Sequence, residues 1–160
     1  ILGLPGEGAE DVRHTMEELK KLKPDNITVH SLAIKRASRL NQLWEQYEHM
    51  DMVNNQEQMK ITEHAARELG MSPYYLYRQK NMAGNLENVG YSLPGTEGLY
   101  NIYIMEEMQT IISLGCGGVT KTVDRETDRI ERIFNVKEPK DYIERIDEML
   151  HRKDVLIKTE

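Results

Sequence analysis

What this 160-residue chain lacks narrows its function before any motif is read. It has one cysteine, Cys116, so it forms no intrachain disulfide and offers a metal at most one thiolate. That excludes a structural zinc site or a complete iron–sulfur site built from its own thiolates, and it suits a reducing cytoplasm. The five histidines, His14, His30, His49, His64 and His151, include no pair at i, i+3 or i+4, so no helical metal face is read and no metal ligand is assigned. No run of about 18 apolar residues occurs, and no membrane span is expected. The formal charge of −6 lacks the basic excess that a general nucleic-acid binder needs. The first residues, "ILGLPGEGAED", carry no basic region ahead of an apolar one, so no signal peptide is read. Internal repeats and low-complexity segments are absent too.

An initiator methionine is also missing, and the chain opens on Ile1 in what reads as the end of a buried strand. Domain boundaries fall in exposed linkers rather than mid-strand, so the expectation is a fragment that lacks an N-terminal portion. What is present is a globular composition, 39% hydrophobic and 30% charged, long enough to bury a core.

After the turn at Gly3, Pro5 and Gly6, the residues Val12, Met16 and Leu19 recur at helical spacing, and Pro24 stops the helix near Leu22 or Lys23. "ITVHSLAI", Ile27 to Ile34, reads as a buried strand. Strand, turn, helix, turn and strand make a βαβ unit whose strands should be parallel neighbours. Helical periodicity continues from Arg39 to Leu69, with a break near "DMVNNQEQ" and a C-terminal cap at Gly70. "SPYYLYRQKN" is strand-like, and the stretch from Met82 to Gly98 reads as loop with a turn at Pro94 and Gly95. "LYNIYIM" fits strand or helix equally. "GCGGVTKTVD" and "RIERIFN" read as a glycine turn and two antiparallel strands, followed by a last helix with Pro139 at its first position. The front is α/β and the rear α+β.

Three stretches carry chemistry. "GLPGE", Gly3 to Glu7, is a turn of the kind that bears active sites at the C-terminal ends of barrel strands, and more often an ordinary βα turn. "GCGG", Gly115 to Gly118, lets backbone approach a ligand but lacks the Lys-Ser/Thr ending of a phosphate loop. "YRQKNMAGNLENVGY", Tyr77 to Tyr91, is too polar for a core strand and holds no serine, cysteine or histidine. Its Arg78 and Lys80 suit carboxylates, and Asn81, Asn85 and Asn88 can each donate and accept. Tyr74, Tyr75 and Tyr77 are read first as packing residues with a wet hydroxyl. From the residues alone, the reading is a βα unit, two glycine turns and a polar, basic loop suited to an anionic small molecule.

Together, "ILGLPGE", "ITVHSLAIKRASRL", "PYYLYRQKNMAGNLENVGY", "IISLGCGGVTK" and "RIFNVKEPKDYIERIDEM" resemble the C-terminal part of HemZ-type oxygen-independent coproporphyrinogen III oxidases, which are radical S-adenosylmethionine (SAM) enzymes. The resemblance implies the last βα units of a partial (β/α)6 TIM-like barrel over residues 1–38, then a helical and α+β C-terminal region over 39–160. It implies that Ala33, Gly118 and Val119 contact SAM, and that Tyr77, Arg78, Lys80 and Asn88 line the substrate pocket with the two cations toward propionates. No catalytic side chain is assigned, because the cofactors carry the chemistry. The implied full-length activity converts two propionates of coproporphyrinogen III to vinyl groups, giving protoporphyrinogen IX. The family's Cys-x-x-x-Cys-x-x-Cys motif for a 4Fe–4S cluster is absent and is expected upstream of Ile1, so the chain alone should be inactive. A related haem-chaperone branch carries His-Asn-x-x-Tyr-Trp where this chain has "ENVGYS", which favours the oxidase branch over haem binding. An open barrel edge would permit self-association.

Overall fold

The structure, a computed structural model, describes residues 1–35, 38–50, 56–77 and 87–157. Two compact units divide the chain, Ile1–Leu99 and Tyr100–Glu160.

In the first unit, helix α1 (Ala9–Leu22) starts where the Asp11 carboxylate accepts the Gly8 backbone N–H at 2.8 Å. That satisfies one of the donors a helix N-terminus leaves unpaired. The helix buries Val12 and Met16 and ends at Lys23, which takes a left-handed conformation. Strand β1 (Asn26–Val29) follows. Short helices α2 (Arg39–Gln42) and α3 (Trp44–Tyr47) meet at Leu43, and α4 (Gln56–Glu68) packs against α1. Gly70, at φ 81°, closes α4: its N–H reaches Arg67 O at 2.9 Å and the Met71 N–H reaches Ala66 O at 3.0 Å. A side chain at that angle would be strained, so the predicted cap is where glycine belongs. Leu2, Val12, Val29, Ala66, Met71 and Tyr91 form the core. Each large side chain among them contributes roughly 1.5–3 kcal/mol.

The sheet of this unit runs β1-β3-β2, with β2 (Ser72–Tyr77) and β3 (Asn88–Ser92) each antiparallel to its neighbour. The expected parallel pairing is a single bridge between Leu2 and Ser31, where Leu2 N–H donates to His30 O at 2.7 Å and Leu32 N–H to Leu2 O at 2.9 Å. The mixed α/β class is borne out, while the described residues form no closed barrel. The strand expected over residues 27–34 keeps its ladder only from Asn26 to Val29.

One expectation is overturned. "NVGYS" is the central strand of the sheet, with Asn88, Gly90, Tyr91 and Ser92 buried, although its composition reads as loop. Gly90 explains it: a Cβ there would lie 1.9 Å from Cε1 of Tyr75, so the bare backbone admits the ring of the neighbouring strand. Asn88 supplies its own compensation, because its side-chain carbonyl accepts the buried Ser31 N–H at 2.8 Å.

In the second unit, "LYNIYIM" resolves as helix, within α5 (Leu99–Glu106). The predicted hairpin is present, with β4 (Val119–Asp124) and β5 (Arg129–Phe134) paired from Val119↔Phe134 to Asp124↔Arg129. Asp124 holds the turn, accepting from Glu126 N, Thr127 N and the Thr127 hydroxyl. Pro139 stands at the start of α6 (Pro139–Glu144), as expected, but the helix breaks at Arg145 before α7 (Ile146–Ile157).

Candidate functional site

Alternation along the three strands sorts the first unit's sheet into two faces. Val29 and Tyr91 belong to the core, with Ile27 and Val89 packed against it. Thr28, Gly90 and Tyr75 lie in register across the other face, followed by the paired Asn88 and Tyr77 and, past the end of β1, His30. The slip between Pro73 and Tyr75 bulges the edge strand at Tyr74 and sets Tyr75 and Tyr77 on this face together.

The side chains meet there. Thr28 Oγ1 and the Tyr75 hydroxyl are 3.1 Å apart, and the Tyr77 hydroxyl stands 3.5 Å from His30 Nδ1, at the long limit of a hydrogen bond. The rings of His30 and Tyr77 meet edge to face at 81°, and those of Tyr75 and Tyr77 are within 6° of parallel. Burial holds the His30 imidazole below its usual range and pushes the Tyr75 phenol up. Both shifts favour the neutral forms, so this face presents hydrogen-bonding groups and rings rather than charge. Beside it, Ser31 Oγ is buried with no hydrogen-bond partner among the described residues.

The second unit carries the glycine turn. Gly115 and Gly117 have φ of 88° and 69°, and a Cβ on Gly118 would fall 2.5 Å from Ser113 Oγ. Asn135 braces the turn: its N–H donates to Gly118 O at 2.9 Å and its Nδ2 to Gly115 O at 2.7 Å. Val119 begins β4 with 38% of its surface exposed, and Cys116 is exposed as well.

Of the residues predicted from sequence, Tyr77 and Asn88 are brought together as register partners on one sheet face. Ala33 is half-buried just past that sheet's first strand. Gly118 and Val119 adjoin one another in the second unit. Arg78 and Lys80 lie outside the described residues, as do Asn81, Gly84 and Asn85. Sequence reading missed His30, Thr28 and Tyr75 as members of the face. The signal was the period-2 alternation of "TVH" opposite "YLY", which needs the intervening strand to become visible.

Among the described residues no group of three or more His, Cys, Asp or Glu side chains could hold a metal ion, so a metal cluster does not fit these residues. No helix among them is long and apolar enough to cross a membrane. The chain is 49% identical over 156 residues to the oxygen-independent coproporphyrinogen-III oxidase-like protein HemZ of Bacillus subtilis (strain 168), a match covering 96% of this chain. The resemblance read from the motifs is thereby shown over nearly the whole sequence. The chain spans 30% of the length of that curated relative. No family model matches the chain, and no solved structure does.

Proposed function

We propose that this chain is the C-terminal part of a radical SAM enzyme that oxidatively decarboxylates two propionates of coproporphyrinogen III, giving protoporphyrinogen IX. The observation that carries the reading is the 49% identity to the HemZ protein over 96% of the chain. The parallel bridge between Leu2 and Ser31 supports placing β1 at the end of a parallel barrel completed by upstream sequence.

In each turnover a propionate side chain loses one hydrogen atom, carbon dioxide and one electron, the electron passing to an external one-electron acceptor, and a vinyl group remains. The cluster would be held by cysteines upstream of this chain, and bound SAM supplies the radical that takes the hydrogen. Residues here shape the cavity and exclude water. The neutral face of Thr28, His30, Tyr75 and Tyr77 supplies hydrogen bonds and ring contact to the macrocycle. Arg78 and Lys80 follow Tyr77 directly in sequence and pair with propionates. The exposed Val119 side chain, beside Gly118, fits a contact with SAM.

Incubating the full-length protein anaerobically with coproporphyrinogen III, SAM and a reductant, and resolving the porphyrins chromatographically, tests the reading. Vinyl products are expected, and Arg78→Ala should lower kcat/KM by roughly tenfold through loss of one charge-assisted contact. Stoichiometric haem binding with no vinyl product would overturn the oxidase in favour of a haem carrier.

A further inference from the structure

Most surface turns are held by a few backbone bonds, but the turn from Ser113 to Gly118 is tied from beneath at nearly every residue. Ser113 N–H donates to Thr120 Oγ1, Gly115 N–H to the Tyr142 hydroxyl, and Gly117 N–H to Val136 O. Asn135, 5% exposed, takes the carbonyls of Gly118, Gly115 and, at 3.4 Å, Ser113. Its remaining polar atom, Oδ1, accepts from the ammonium of Lys153 at 2.7 Å.

Lys153 is the unusual member. It is 8% exposed, its second contact is Met149 O at 3.4 Å, and no carboxylate among the described residues pairs with it. A buried cation without a counter-charge costs stability, and an apolar side chain would fill the space more cheaply. What an ammonium alone provides is polarity of one kind: it donates and never accepts. Facing Lys153, the Asn135 amide can present only its oxygen, so its Nδ2 must point at Gly115 O and Ser113 O. Glutamine or serine at position 153 would offer Oδ1 only a neutral donor, a weaker hold on the amide than the ammonium's.

We infer that Lys153 and Asn135 are positioning residues: the ammonium fixes the amide's orientation, and the amide fixes the turn that presents Gly118 and Val119 to a bound ligand. This rests on the proposed function, in which that ligand is SAM. The turn is closed on its inner side, where a Cβ on Gly118 would also stand 3.1 Å from the carbonyls of Gly115 and Leu114. Outward it is open at Cys116 and Val119. A close-packed underside and an open crest are what a preorganised contact requires.

The test compares Lys153→Gln with Lys153→Arg in the full-length protein. Arginine keeps a charged donor on the amide oxygen, whereas glutamine offers only a neutral one. The readouts are SAM affinity by equilibrium binding and hydrogen exchange of the amides from Leu114 to Gly118. Lys153→Gln should weaken SAM binding by about tenfold and speed exchange in the turn, while Lys153→Arg stays within about twofold of the parent. Parent-like affinity and exchange in Lys153→Gln would overturn the inference, as would equal losses in both variants. Should Lys153→Gln fail to fold, Asn135→Asp replaces it: the carboxylate pairs with Lys153 but cannot donate to Gly115 O. Unchanged SAM affinity in that variant overturns the inference too. If the parent itself binds no SAM, the proposed function fails, and turn exchange in the variants still decides whether the ammonium fixes the turn.

Discussion

In the first unit the buried apolar side chains are contiguous, Leu2, Val12, Val29, Ala66, Met71 and Tyr91, and the sheet rests on them. In the second the buried side chains among the described residues are Met149 and four polar ones, Thr120, Lys121, Asn135 and Lys153. There the large apolar side chains face outward, with Leu114 80% and Ile143 73% exposed. Lys121 is buried too but, unlike Lys153, has a counter-charge, its ammonium bonded to Ile104 O and to the Glu107 carboxylate. Burial of area is non-directional and tolerates small errors. A satisfied polar network is directional, so it holds a turn in one shape but fails sharply when a member is lost.

That contrast can be broken by paired truncations. Asn135→Ala strands an ammonium and two carbonyls and should cost about 3–5 kcal/mol, read from urea denaturation. Met71→Ala, in the apolar core, should cost no more than that, about 2–4 kcal/mol. A milder effect for Asn135→Ala would mean that the second unit does not depend on its polar network. Next in size is Gly90→Ala, where the Tyr75 ring must swing away from the new methyl group, costing about 1–3 kcal/mol. Most of that loss should vanish in a Tyr75→Ala background, a non-additivity that a double-mutant cycle measures.

The smallest effect sharpens the comparison at the surface. Hydrogen bonds from Arg145 and then Arg152 lower the Glu148 pKa from 4.5 to about 2. Because the folded value lies below the unfolded one, this contribution is present above pH 4.5 and is lost as pH falls toward 2. Glu148→Gln should therefore lower the melting temperature slightly at pH 7, the contact being exposed and screened, and that difference from the parent should close as pH falls from 4.5 toward 2. A difference that does not change with pH would show that the pair is fully screened.

The opening βαβ unit, the β4–β5 hairpin, the Gly70 cap and Pro139 were legible in sequence, because each is written in local periodicity or turn chemistry. "NVGYS" was not, since its polar residues are explained by partners far along the chain: Tyr75 over Gly90, and Ser31 against Asn88. The glycine turn was visible as a turn. Its supports were hidden, because Asn135 and Lys153 belong to different elements and look like surface residues when read singly. The sheet face was half legible, with Tyr77 and Asn88 singled out but His30 counted only as a scattered histidine.

The sole thiol of this chain, Cys116, crowns the turn that Asn135 braces from below. A fluorophore or spin label attached there would need no competing cysteine removed from this chain. Its mobility would report directly on how tightly the crest is held.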